Sequence, residues 1–271
     1  HRDLHSFPTR RSSDIEIVTV SGGVFGQNTA GGNGGGIVAS SNISITGGTI
    51  GSNGSDIAGN RAQNGGGLFV VSDGSITVTV NGGTITGNTA TQNGGGVFTT
   101  STMTLTAGTI SYNNAGKDGG GVYANGGDVK VNGGEIGYSE ATKDGGGVFP
   151  GKAVELTAGT ISHNTASHDG GGLYVFGGPV EFEGGTISGN EADFNGGGIY
   201  IYRYVTLNMK LAASVTGNHV PATGKGGGIY LDGQMNVGEN ANDALATHTL
   251  NVTGNYAGTV YSEAVRNNVL S

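Results

Sequence analysis

Few side chains in this sequence could do chemistry, and their spacing limits what that chemistry is. Beyond the first fourteen residues the arginines are Arg61, Arg203 and Arg266, and one of them stands in the run Tyr202-Arg203-Tyr204, where Glu181 and Glu183 of the preceding repeat could approach it. Acid–base bond cleavage needs convergent carboxylates, or a metal beside an Arg or Lys base. This run is therefore the best catalytic candidate; the plainer reading is a solvated loop with the guanidinium packed on tyrosine. Asp118, Asp144 and Asp169 form a second set, each standing immediately before a glycine triplet. Carboxylates stacked about 5 Å apart could bind a cation such as Ca²⁺. Lys117, Lys143 and His168 precede them and compensate their charge, and Asx before Gly is an ordinary turn former, so no cofactor is expected. The chain has no Cys, which excludes disulfides, thiolate metal sites and thiol nucleophiles. With no paired-Asp motif, no metal-type His cluster and no recognisable Ser, His and Asp arrangement, the balance leans against an enzyme.

These residues are positioned by a repeat. Of 271 residues 58 are Gly, which nearly excludes a helical protein, because each interior Gly costs a helix about 1 kcal/mol relative to Ala. The glycines are not at every third position, which excludes collagen, and regularly spaced apolar residues argue against disorder. Glycine triplets begin at positions 34, 65, 94, 119, 145, 170, 196 and 226. After each comes a short apolar run such as Leu173-Tyr174-Val175, then an alternating run such as Met103 and Leu105, then a third run holding one apolar residue such as Ile110 or Ile136. Short alternating runs bounded by Gly and Asn are strands. Three such strands cannot form a core alone, but stacked coils bury a continuous apolar column. The expectation is an all-β, single right-handed parallel β-helix of about nine coils with three short strands per coil.

The stacking creates columns. Asn28, Asn60, Asn88, Asn113, Asn164, Asn190, Asn218 and Asn255 follow the third strand, with Ser139 as the exception, and are expected to form an internal amide ladder at the turn. Phe69, Phe98, Tyr123, Phe149, Tyr174, Tyr200 and Tyr230 form an aromatic column. Together with Tyr202, Arg203 and Tyr204 they are the candidate binding residues, as a stacking surface for glycans or a partner protein. The alternative is a ladder that stiffens the rod, which the three Phe favour. Tyr112, Tyr138 and His163 align in a shorter column where other coils carry Gly87 and Gly189. Outward Thr-rich pairs on the second strand, such as Thr104 and Thr106, suit an ice-binding face, but Lys130, Glu155, Glu181 and Glu183 interrupt it and rank that reading low, beside a structural spacer.

The pattern resembles the repeats of chlamydial-type polymorphic outer-membrane proteins, which pair F-x-x-N with G-G-A-[ILV]. Here Ile187-Ser188-Gly189-Asn190 and Gly197-Gly198-Ile199 occupy the two motifs, with Ile for Phe and Gly for Ala. More broadly, residues 18 to 255 resemble pectin-lyase-like β-helices of bacterial surface and autotransporter passenger proteins. That resemblance implies a secreted or cell-surface adhesin whose partners are host or environmental glycans or surface proteins. The rival implied by the same fold is a polysaccharide lyase or glycoside hydrolase. The fragment Gly51-Ser52-Asn53-Gly54-Ser55-Asp56 resembles a calcium-binding nonapeptide repeat but occurs once.

Residues His5 to Asp14 resemble the conceptual translation of a sequencing adapter, so residues 1–14 are set aside as a non-native leader and the chain is expected to be an environmental fragment of a longer protein. Residues 15–231 are the β-helix repeats. Residues 232–271 are a degenerate last coil or C-terminal cap, with an anchor, barrel or catalytic domain able to follow. The formal charge of -8 argues against a nucleic-acid binder, and no apolar run is long enough to span a membrane.

Overall fold

The computed structural model describes residues 17–54, 56–72, 76–237, 251–253, 255 and 260–262. The leader, and most of the stretch expected to close the last coil, lie outside the described residues. The chain forms an all-β parallel solenoid of about eight coils, rather than nine, with three parallel sheets of twelve, nine and six strands and no helix.

The nine-stranded sheet is built from the eight three-residue strands that follow the triplets, such as Leu68–Val70, Val122–Ala124 and Ile199–Ile201, together with Val260–Ser262. Its end residues point inward and its middle aromatic outward, as period-two alternation requires. The other two sheets divide the coil differently from the sequence expectation. The second and third runs are one strand in most coils, as in Thr77–Thr86 and Thr102–Ser111, with a register shift in the middle. A glycine with positive φ sits at that shift, for example Gly83 at 67° and Gly108 at 85°, so the strand bends through a β-bulge without breaking its ladder. Only from Val180 onward does the run split, into Val180–Phe182 and Thr186–Ser188.

The third sheet is made of two-residue strands just after the ladder asparagine, such as Thr89–Ala90 and Asn114–Ala115. Their alanines pair in a column from Ala62 through Ala90, Ala115, Ala141 and Ala166 to Ala192. A strand of two residues carries too little alternation to be recognised from periodicity.

The core is a set of registered columns. Ile50, Ile85, Ile110, Ile136, Ile161, Ile187 and Val215 pair directly from coil to coil, and each is no more than 1% exposed. Each such side chain stabilises the fold by about 1.5–3 kcal/mol through burial.

The triplet shows why glycine is required three times. The first has positive φ, as at Gly94 with 67°. The second presses on the following coil: a Cβ at Gly95 would lie 2.5 Å from the carbonyl oxygens of both Asn114 and Gly120. The third faces the ladder, where a Cβ at Gly96 would lie 2.8 Å from Asn113 Nδ2.

Candidate functional site

The asparagine column is a continuous buried network through most of the rod. Asn60 Nδ2 donates to Asn88 Oδ1 at 2.9 Å, Asn88 Nδ2 to Asn113 Oδ1 at 3.0 Å, and Asn164 Nδ2 to Asn190 Oδ1 at 3.0 Å. Asn190 and Asn218 continue it to Asn255, and Asn28 begins it by donating to Asn60. The second amide hydrogen serves the backbone, since Asn88 donates to Ile50 O and Asn190 to Ile161 O, both at 2.9 Å. Ser139 interrupts the chain of amides. Its hydroxyl accepts from Asn113 N at 3.3 Å and donates to Gly137 O, so the side-chain link from one coil to the next is missing there.

Outside this ladder runs a second Asx column in which backbone N–H groups donate to side chains of the neighbouring coil. Asp118 N donates to Asn93 Oδ1, Asp144 N to Asp118 Oδ1 and Asp169 N to Asp144 Oδ1, each at 3.2 Å. Where two asparagines meet, an amide bridges them, as Asn64 Nδ2 does to Asn33 Oδ1. Where two aspartates meet, a Lys or His side chain takes that place. Lys143 Nζ lies 3.0 Å from Asp144 and 3.8 Å from Asp118, while His168 Nδ1 lies 2.9 Å from Asp144 and 3.0 Å from Asp169. Asn195 Nδ2 donates to the other oxygen of Asp169 at 3.0 Å. Ligand atoms of Asp144, His168 and Asp169 lie within 4.8 Å of one another, but their donors and acceptors already satisfy each other. The arrangement acts as a version of the Asn column bridged by Lys143 and His168.

Burial, more than any neighbour, raises the Asp118 carboxyl above its ordinary value, against the opposing Asp144 N–H and Lys143. An acid raised in the folded state favours folding below the unfolded value and loses that contribution as pH rises through the folded one. Asp118→Asn, which cannot ionise and reproduces the residue used in neighbouring coils, should therefore raise stability at pH 7. Denaturant titrations should show the gain shrinking as pH falls toward 3.8, the ordinary Asp value. A gain that grows on acidification would contradict this assignment.

The seven-member aromatic column is continuously stacked. Centroids from Phe69 to Tyr230 are 4.7–5.3 Å apart and neighbouring planes differ by 7–22°. Phe98, Phe149 and Tyr200 are each only 9% exposed, and burial raises the Tyr174 and Tyr200 phenols above their ordinary values. Each inner ring spends both faces on its neighbours and presents only an edge to solvent. A sugar or a partner ring needs a free face to stack on. The geometry fits a stiffening ladder better than a stacking surface.

The shorter column differs. Tyr112, Tyr138 and His163 stack at 5.0 and 4.8 Å, remain exposed, and have φ of 54°, 52° and 54° at a position where Gly87, Gly189 and Gly217 also have positive φ. The His163 ring lies over Gly189, whose missing side chain leaves it room.

Tyr202, Arg203 and Tyr204 occupy a corner between Ile199–Ile201 and Thr206–Met209. Tyr202 N donates to Val175 O at 2.8 Å, and Val205 N closes the turn onto Tyr202 O at 3.2 Å. The corner of the next coil supplies Asp232, Gly233 and Gln234, and with Arg203 and Tyr204 these line an open recess of about 600 Å³. Arg203 Nε lies 3.6 Å from Asp232 Oδ2, and its guanidinium sits 5.3 Å from the Tyr202 ring centroid. Gly233 is required where it stands, because a Cβ would meet Val205 O and Tyr202 O. Tyr204 is 95% exposed, with φ of 69°.

The carboxylates expected beside Arg203 have other contacts. Glu181 accepts from Asn208 Nδ2 at 2.6 Å, and Glu183 pairs with Lys210 at 2.8 Å. Both lie in the strand Val180–Phe182 or just after it, and pair across the long sheet rather than at the corner. Asp232 and Gln234 escaped sequence reasoning because they fall where the repeat pattern fades. Phe176 escaped it as well; it is 46% exposed, occupies the corner position equivalent to Tyr202 one coil earlier, and tilts onto Phe149.

No protein-family model matches this chain, and no curated protein or solved structure matches it. What is established for the chain is its own architecture, a parallel β-solenoid of about eight coils with three parallel sheets.

Proposed function

We propose that this chain is a non-enzymatic segment of a bacterial cell-surface or secreted adhesin of the autotransporter passenger kind, displaying its outer faces to host or environmental glycans or surface proteins. The observation that carries this reading is how the coil divides its labour. Inward and interstrand positions repeat almost without change, whereas exposed aromatics such as Tyr112, Tyr138, Phe176, Phe194 and Tyr204 occur in only one or a few coils and face solvent. A scaffold that holds its interior constant while varying exposed aromatics is suited to recognition. The motif resemblance supports the same reading. Asn190 and Gly197 stand at its two key positions, the first in the amide ladder and the second against the next coil's backbone. Among the described residues no helix is long and apolar enough to cross a membrane.

A polysaccharide lyase or hydrolase is the competing reading, favoured by one observation, the Arg203 and Asp232 pair inside an open recess. A glycan array and a cell-binding assay on the intact chain, with depolymerisation measured on pectins and host glycans, separate the two. Binding without cleavage is expected. Reproducible cleavage abolished by Arg203→Ala would overturn the non-enzymatic reading.

A further inference from the structure

We propose that the corner recess around Tyr204 is a binding site for a neutral, hexose-based glycan. The inference rests on the recognition reading above and names its site and ligand class. Four observations converge there. Tyr204 is the most exposed of the large apolar side chains among the described residues, at 95%, and it is held at φ 69°, a conformation that bulky side chains rarely adopt. On the same corner of an earlier coil the positive-φ position is Gly126, at 92°, and a Cβ there would meet nothing within 4 Å. A tyrosine is thus present where glycine would be the easier residue, and backbone strain of this kind gathers at ligand-binding positions. Unlike the rings of the long column, Tyr204 has no stacked partner among the described residues, so its face is open to the C–H face of a pyranose.

The polar groups beside it complement sugar hydroxyls, which both donate and accept. Arg203 only donates, Asp232 only accepts, and the Gln234 amide does both. At 3.6 Å the Arg203 and Asp232 pair lies beyond a direct hydrogen bond, and the side chains are 58% and 27% exposed. A hydroxyl can therefore bridge them without breaking a tight contact. Charge selects the ligand class. Asp232 balances Arg203 within the recess, and the whole chain is acidic, at -8, so an anionic sugar would have to compete with Asp232 against an unfavourable field. A neutral sugar meets neither cost. Phe176 and Tyr202, in equivalent positions of successive coils, extend the apolar strip along the rod axis and favour an oligosaccharide over a single sugar.

The test is calorimetric titration of the intact chain with cellohexaose, mannohexaose and laminarihexaose, and with hexagalacturonate as the charged probe. At least one neutral hexasaccharide should bind more tightly than hexagalacturonate, and Tyr204→Gly and Asp232→Asn should each weaken it roughly tenfold or more. Tyr204→Gly removes the ring and relieves the positive φ together, so it should fold with an unchanged or higher melting temperature. Gln27→Gly relieves the same conformation in the first coil and should leave sugar affinity unchanged. Unaltered affinity in Tyr204→Gly, preference for hexagalacturonate, or no binding of any neutral hexasaccharide would each overturn the proposal. The broader recognition reading falls only if the chain also fails to bind in the array and cell assays.

Discussion

Asn190→Ala should lower the unfolding free energy by about 3 kcal/mol or more, because three buried groups would lose partners at once and each orphan costs at least about 1 kcal/mol. Asn190 is 0% exposed. Its Oδ1 accepts from Asn164 N at 2.9 Å and Asn164 Nδ2 at 3.0 Å, and its own amide serves Ile161 O at 2.9 Å. Alanine supplies none of these, and the site is too tightly enclosed by the coils to admit water readily. Asn28→Ala, at the exposed start of the column, removes a link with solvent beside it and should cost about 1 kcal/mol or less. The reverse change is informative. Ser139→Asn should restore the missing amide link between Asn113 and Asn164 and stabilise the rod by about 1 kcal/mol. Denaturant unfolding of the three variants checks the gradient; equal losses in Asn190→Ala and Asn28→Ala would show that the column does not act as a buried network.

Gly95→Ala should be damaging for a different reason. Its added methyl would lie 2.5 Å from two backbone carbonyl oxygens of the following coil, and neither can move without separating the coils. Forced overpacking of this kind costs about 3 kcal/mol, a fall in melting temperature of roughly 6–12 °C for a domain of this size. Gly32→Ala is the matched control, since nothing lies within 4 Å of a Cβ there, and its melting temperature should be unchanged within about 1 °C. If both variants melted alike, glycine in the triplet would reflect turn propensity alone rather than the contact between coils.

These two effects also show what the residues made legible and what they did not. Triplet spacing and the recurring Asn predict a stacked coil because both are long-range regularities that a single sequence carries in full. Division of the coil into sheets was harder to read. The Gly-Gly doublets, such as Gly82-Gly83, look like strand breaks, yet in space they are bulges within one strand. The short sheet of paired alanines has too few residues per strand to show a period. For the site, sequence pointed to Tyr202, Arg203 and Tyr204 but placed Glu181 and Glu183 beside them. Asp232 takes that position because the next coil's corner folds over Arg203. Whether a repeated aromatic exposes its face or its edge depends on ring orientation, which spacing does not encode. The column of seven is accordingly a ladder, and Tyr204, outside that column, is the open ring.

The most direct test of a recognition role is co-sedimentation of the intact chain with insoluble neutral and acidic polysaccharides, with reducing ends and unsaturated products counted in the same tubes. The chain should pellet with at least one neutral polymer while the product count stays at the level of the polymer alone. Product accumulating with time and vanishing in Arg203→Ala would contradict a binding rod and make the corner recess an active site.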